Sequence, residues 1–333
     1  MPSLVPFSDI NTKIFCTNQA SGGSGGKAKT FIKMDTGAVM TKIQAWKEDW
    51  RIRGVEMTMS DGTQQLFGSR TGSGSLFTLN SGETLRRLNI QASGQKSSGG
   101  YVRLGAIWME TSQGRSWGIF SRYLTEDGRY WYDMPNSGIV CGMFGKYGDD
   151  VDCLGFAVMN PIERARLVNV TYPNLDLKVV ADTPTIVASN EYSNGTSVNQ
   201  SYTLTGEKTV TTERSWSVTT GFEMSYSVSV SASIPQVADI EASTSWTLSS
   251  ETTHSRSETI SEEQGWEWPI VCPPYMRIRA SGTMYQDSID NAYEAKVHID
   301  LKNGQDYEYA VKGIYEGMNV RHGLLKVEEL GPP

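Results

Sequence analysis

Between residues 217 and 250 the side chains alternate, mainly apolar at even numbers and small and polar at odd ones, a pattern no helix can use. From Val218 the even positions read Val218, Thr220, Phe222, Met224, Tyr226, Val228, Val230, Ala232 and Ile234. The odd ones read Ser217, Thr219, Gly221, Glu223, Ser225, Ser227, Ser229, Ser231 and Ser233. After Pro235-Gln236-Val237-Ala238-Asp239 the even series resumes as Ile240, Ala242, Thr244, Trp246 and Leu248, against Glu241, Ser243, Ser245, Thr247 and Ser249. A five-residue turn centred on Val237 pairs Ile234 with Ile240, Ala232 with Ala242, Val228 with Trp246 and Tyr226 with Leu248. All apolar residues then share one face. Each arm exceeds the ~9–11 tilted residues with which a barrel strand crosses a bilayer. The competing reading is a half-buried hairpin in a soluble sheet. Against it stand the length, the uniform serine face and the scarcity of charges that would guard an edge. The expectation is a membrane-inserting hairpin over about 217–250. Its even face meets lipid and its odd face, with Glu223, Ser229 and Glu241, lines a water-filled lumen. The same register sets Glu223 opposite Glu251.

The rest of the chain points the same way. Its 33 glycines and 10% aromatic residues favour short strands with frequent turns, and 333 residues suffice for two domains, each with its own core. The class expected is all-β. A formal charge of −7 supplies no basic footprint for nucleic acid. No apolar run approaches the ~20 residues of a spanning helix. Residues 1–7 lack the charged start and apolar core of a signal peptide. The expected route is therefore secretion by an unconventional path, followed by attack on a target membrane from solution. Residues 1–20 read as an irregular arm, 21–165 as a domain of short strands, and 166–333 as a Ser/Thr/Val-rich module. That module has two long strand candidates, about 208–234 and 238–264. Four cysteines, Cys16, Cys141, Cys153 and Cys272, lack metal-site spacing. Cys141 and Cys153 flank residues 142–152 and are either a disulfide across one hairpin or two free thiols. Sequons at Asn169, Asn194 and Asn199 matter only in the secretory pathway.

The first domain carries an ordered series of short motifs: Gly22-Gly23-Ser24-Gly25-Gly26-Lys27-Ala28, Ile43-Gln44-Ala45-Trp46, Ile52-Arg53-Gly54-Val55 and Ser60-Asp61-Gly62-Thr63. It continues through Phe77-Thr78-Leu79, Ile139-Val140-Cys141-Gly142 and the stretch 148–156. From about residue 21 to 160 this resembles a jacalin-related lectin domain. The resemblance implies a β-prism of three sheets that binds monosaccharide units without metal or cofactor. It also implies a sugar site where the glycine segment meets Gly148-Asp149-Asp150-Val151-Asp152. There the Asp152 carboxylate would accept charge-assisted hydrogen bonds from adjacent hydroxyls. The N–H groups of Asp149 and Asp150 would donate, and Gly25 and Gly26 would let the ligand approach the main chain. Galactose-preferring members carry aromatics where Asp149 and Asp150 stand, so mannose-type glycans are expected. Read alone, the same loop is an acidic hairpin turn, and its three carboxylates leave a calcium site open.

Residues 209–219, the Ser/Thr hairpin, residues 270–277 and Val311-Lys312-Gly313-Ile314-Tyr315 resemble an aerolysin-type pore-forming module. A jacalin-type head on such a module is the arrangement of the natterin-like proteins. The resemblance implies a soluble monomer or dimer that binds cell-surface glycans and assembles into a homo-oligomeric ring on the target membrane. The hairpins, kept folded against their own module beforehand, then form one barrel and lyse the cell. The rival is a non-lytic multivalent lectin whose second domain serves only oligomerisation. The three histidines, His254, His298 and His322, lie near no nucleophile–acid arrangement, so no enzyme is expected.

Overall fold

The computed structural model describes residues 4–94, 102–133, 136–175, 180–181, 184–218, 227–237, 246–284, 286–320 and 324–333. Strands dominate throughout, and no helix among the described residues is long and apolar enough to cross a membrane. By Cα packing the chain groups into two units. One is Met1–Leu167 with Val218–Val228 and Lys296–Val311, and the other is Val168–Ser217 with Ser229–Ala295 and Lys312–Pro333.

The first unit is a β-prism. One sheet runs in the order Leu4–Pro6, Gln19–Gly22, Val151–Val158, Val140–Tyr147, Lys27–Ile32. A second runs Ser116–Phe120, Val102–Thr111, Leu85–Gly94, Leu124–Trp131, and a third Gln64–Gly68, Ile52–Met59, Met40–Lys47, Ser73–Thr78. Alternation aims one residue in two inward. Ile43, Val55, Met57, Leu88, Ile90, Ile107, Met109, Leu154 and Phe156 meet in a common core without measurable exposure. Each such side chain stabilises the fold by roughly 1.5–3 kcal/mol relative to leaving it in water. The N-terminal arm is irregular from Phe7 to Asn18 yet firmly held. Val5, Phe7, Ile10, Ile14 and Phe15 are buried, and Phe7 lies 5.2 Å from the Phe144 ring. Asn303 Nδ2 donates to Lys13 O at 2.7 Å and Lys302 N to Pro161 O at 2.9 Å, so Lys296–Val311 packs with this unit.

All four cysteines are free thiols, which overturns the pairing of Cys141 with Cys153. The two do sit on adjacent strands, but Cys153 lies opposite Lys146, five positions from Cys141 along the facing strand. At ~3.4 Å per residue that offset is about 17 Å, far beyond disulfide reach. Burial pushes the Cys141 thiol up to about 12 and the Cys153 thiol to about 11.

In the second unit Gln200–Val218 and Ser257–Cys272 form an unbroken antiparallel ladder from Gln200↔Cys272 to Ser215↔Ser257. Both exceed the usual strand length of 3–10 residues. A three-stranded sheet, Thr185–Asn194, Met276–Met284 and Leu324–Gly331, covers a small core of Leu204, Ile270, Cys272, Ile278 and Ala280. Asn194 is wholly buried there. Its Nδ2 donates to Val198 O (2.7 Å), Cys272 O and Pro273 O (both 3.0 Å), while Oδ1 accepts from Thr196 N and Oγ1 at 2.9 and 2.7 Å. The sequon at Asn194 is thus a clamp between two loops. Asn169 and Asn199 are exposed.

The expected continuous strands 208–234 and 238–264 are instead interrupted. Val228–Ala232 pairs with Thr252–Ser255, with Ser229↔Ser255 and Val230↔His254. Pro235–Val237 pairs with Trp246–Leu248, with Pro235↔Leu248 and Val237↔Trp246. The ladder therefore reaches Val237, which is not a turn centre, and Trp246 faces Val237 instead of Val228. The Pro235 turn signal misled because proline, though it donates no hydrogen bond, is tolerated at the first residue of a strand.

Candidate carbohydrate-binding site

Residues 148–150 turn the chain between Val140–Tyr147 and Val151–Val158, with Gly148 N donating to Asp150 O at 3.0 Å. The next two side chains then take opposite faces. The Val151 side chain enters the core at 0% exposure, which leaves only its main chain to face a ligand. Asp152 faces outward but is only 4% exposed, because the glycine segment lies across it. Gly23 N donates to Asp152 O at 2.7 Å. A Cβ on Gly25 would stand 2.7 Å from Asp152 Oδ1, and one on Gly26 (φ +76°) would run into Oδ2. The two glycines therefore make room for the carboxylate itself, and both also line the cavity described below.

Three arginines remote in sequence converge on this loop. Arg103 Nη1 is 3.2 Å from Asp152 Oδ1. Arg53 Nη1 and Arg51 Nε hold the two oxygens of Asp150 at 2.5 and 3.1 Å. Asp150 is thereby a brace for the loop, and Asp149 stays exposed at the rim with its carbonyl accepting from Ser69 Oγ at 2.9 Å. Lys146 Nζ donates to Ser24 O at 3.3 Å and steadies the glycine segment. A cavity of about 450 Å³ opens between Ser24, Gly25 and Gly26 on one side, Val102 and Arg103 on another, and Gly148, Asp149 and Asp150, with Asp152 at its base. Burial pushes the Asp152 carboxyl above its ordinary value, and Asp150 adds to the rise; Arg103 and Lys146 pull the other way. The site combines a recessed acceptor, a neighbouring guanidinium donor and backbone walls, the elements that hold vicinal hydroxyls. It does not make a cation cage. Asp150 and Asp152 turn to guanidinium groups, and no cluster of three metal-ligating side chains occurs among the described residues.

Local sequence carried no signal for Arg103. Arg51 and Arg53, alternate residues of one strand edge, were visible only as a pair on one face.

The hairpin residues divide. Val228, Val230, Ala232 and Ile234 are buried, whereas Leu248 is 53% exposed. Ser229 is half-buried, and Glu251 accepts from Ser231 Oγ at 2.7 Å. Trp246 is placed by its backbone pairing with Val237. Phe222, Glu223, Met224, Tyr226, Ile240, Glu241, Ala242 and Thr244 lie outside the described residues. Of the histidines, His254 stacks on Trp216 at 5.4 Å and meets Glu258 and Thr252. His298 lies between Glu308 (2.8 Å) and Asp300 (3.0 Å). Neither is bonded to a serine or cysteine in these contacts, and His322 lies outside the described residues.

Residues 18–157 match the Jacalin-like lectin domain, and residues 162–320 match the family of Clostridium epsilon toxin ETX/Bacillus mosquitocidal toxin MTX2. Together the two matches make the chain a Jacalin-like lectin domain followed by an ETX/MTX2-type, aerolysin-like toxin domain. Over its whole length it is similar to the lamprey immune protein, whose crystal structure superposes with a TM-score of 0.82 at 28% identity over 99% of both chains. Partial likenesses include Malaysian banana lectin (21% identity, 42% of this chain and 95% of that one, TM-score 0.35). Another is the parasporin-2 toxin of Bacillus thuringiensis (18%, 50% and 74%, TM-score 0.31). A comparison with curated protein sequences finds no match.

Proposed function

We propose that the cavity over Asp152 binds a terminal hexose of cell-surface glycans, mannose-type preferred, and that the bound protein assembles into a ring and inserts a β-barrel. The observation that carries the glycan reading is the buried carboxylate beneath Gly25 and Gly26, beside Arg103, opening into a cavity of sugar size. Mannose is favoured because Asp149 and Asp150 leave no aromatic surface at the positions where galactose-preferring lectins stack their ligand. The carboxylate of Asp152 accepts two adjacent hydroxyls, and Arg103 donates to a third oxygen.

The toxin-type match supports the pore reading, together with a strand, Val228–Ala232, whose apolar side chains Val228, Val230 and Ala232 are buried in the unassembled chain. Exposing that strand in water is unfavourable, and a bilayer removes the penalty. In the barrel, even-numbered residues of 217–250 meet lipid, while Glu223, Ser229, Glu241 and Glu251 face the lumen. Residues 21–165 act as the lectin domain, with 1–20 as its arm, and 166–333 as the pore module. The protein works outside the cell of origin, on a target membrane. The whole-length likeness to the lamprey immune protein supports a defensive role. Dye release from liposomes bearing mannose-type glycans tests the whole reading. Release that needs both the glycan and intact Asp152 is expected. Agglutination without release would favour the non-lytic lectin.

A further inference from the structure

Away from the Asp152 cavity, the first unit displays a second arrangement suited to a sugar. It lies on the four-stranded sheet of Ser116–Phe120, Val102–Thr111, Leu85–Gly94 and Leu124–Trp131. Register sets Trp131, Asn89, Trp108 and Gly118 side by side across all four strands, and residues so aligned share one face. Their neighbours Leu88, Ile90, Ile107, Met109 and Ile119 fill the core, so this row looks outward. Trp108 and Trp131 lean together edge to face, centroids 5.7 Å apart and planes at 73°. They roof Asn89, which is 6% exposed and donates from Nδ2 to Tyr130 O at 3.0 Å.

The row ends on a glycine for a spatial reason. A Cβ on Gly118 would stand 2.6 Å from the Phe120 ring and 3.0 Å from Trp108, so Phe120 folds over it and prolongs the aromatic strip. With strands ~4.8 Å apart, a strip crossing four of them is about 14 Å long. Trp131 and Phe120 are 53% and 46% exposed, where the outer face of an antiparallel sheet ordinarily carries polar residues. The margins are charged. On one side Arg86 and Arg87 each place an Nη1 3.7 Å from a Glu110 oxygen, too far for a hydrogen bond. On the other side Arg129 Nε reaches Gln91 Oε1 at 3.4 Å.

We infer that this strip is a second carbohydrate-binding surface, on which the C–H face of a pyranose stacks against Trp131 and Trp108 while its hydroxyls meet Glu110 and Arg87. The electron-rich ring face attracts the polarised C–H groups of a sugar, and the rim supplies one acceptor and one donor. Other occupants fit less well. Two half-exposed rings and a more sheltered third offer at most on the order of 300 Å², well short of the roughly 800 Å² per partner of a stable protein interface. Charges on both margins oppose insertion into lipid. The inference rests on the lectin character of the domain and not on the Asp152 cavity. Two separate sugar surfaces on one domain would let it grip a branched glycan at two points, and affinity would rise without any new contact at the first.

The test uses the full chain carrying Asp152→Ala, so that the cavity is silent, with a glycan array and soluble mannan as probes. Residual binding to extended glycans is expected. Trp131→Ala in that background should weaken it roughly threefold to tenfold, and Trp131→Phe should restore most of it. Mannan should also perturb indole fluorescence in the Asp152→Ala chain and much less once Trp131 is replaced. Trp131 ends its strand and is half exposed, so the fold should tolerate the change; unaltered thermal unfolding checks this. The inference is overturned if the Asp152→Ala chain binds nothing on the array, or if its residual binding ignores Trp131→Ala. It is equally overturned if Trp131→Ala alters only sedimentation, which would mark a self-association surface. If Asp152→Ala binds as the wild type does while Trp131→Ala abolishes binding, the cavity assignment fails and this one stands.

Discussion

Replacing Asp152 by Asn separates what this residue does for the fold from what it does for the ligand. Its carboxyl is 4% exposed, and burial holds its pKa above the ordinary aspartate value despite the ion pair with Arg103. The folded state therefore binds the proton more tightly than the unfolded chain, so ionising Asp152 costs stability. That cost is absent below the unfolded pKa and develops as pH rises towards the folded one. An amide of the same shape escapes it, keeps an oxygen towards Arg103 and still fits beneath Gly25 and Gly26. Thermal stability of Asp152→Asn at pH 7 should thus equal or exceed that of the wild type. Ligand binding should do the opposite. An ionised acceptor contributes roughly 1.5–3 kcal/mol through its hydrogen bonds, so the affinity for methyl α-mannoside should fall by about 10- to 150-fold. Wild-type binding should also weaken on acidification, starting above the pH at which an ordinary aspartate protonates. Calorimetric titration between pH 4 and 8, with melting curves of both proteins, checks all three. A Tm loss above about 4 °C, which corresponds to roughly 1 kcal/mol or more, would show that the charge stabilises the fold. Unchanged affinity would remove Asp152 from the site altogether.

Four further outcomes are expected. Asn194→Ala removes five hydrogen bonds of a wholly buried side chain, so it should destabilise the second unit by about 3 kcal/mol or more, and peptide mapping of secreted protein should find no glycan on Asn194. Leu248→Lys should leave the soluble fold intact, since Leu248 is half exposed, yet suppress channels in planar bilayers, because a midplane Lys costs about 2–4 kcal/mol in each subunit. Ser227→Lys, on the odd face, should still form channels but with weaker cation preference in the reversal potential. A fragment ending near residue 165 should fold and keep its glycan specificity, because its core lies within residues 38–158. Its Tm should drop, since it loses Asn303 on Lys13 and Asp300 on Arg164.

Much about this protein could be read from the order of its residues, because alternation is a local property. Period-two patterns marked the strands of the first unit, and Ser/Thr-rich alternation marked the pore module. The glycine segment and residues 148–152 marked two loops of the candidate site. Register is not local. Sliding one strand past another keeps its alternation intact, and only packing across the ladder selects Val237 over Val228 opposite Trp246, or Lys146 over Cys141 opposite Cys153. Partnership between distant charges is equally silent in sequence. Arg53 and Asp150 lie 97 positions apart and meet because the third sheet of the prism closes onto the first. Burial then decided meaning. It turned Asn194 from a sequon into a clamp, put the Val151 side chain into the core, and gave Gly25 and Gly26 a second role as the space a buried carboxylate requires.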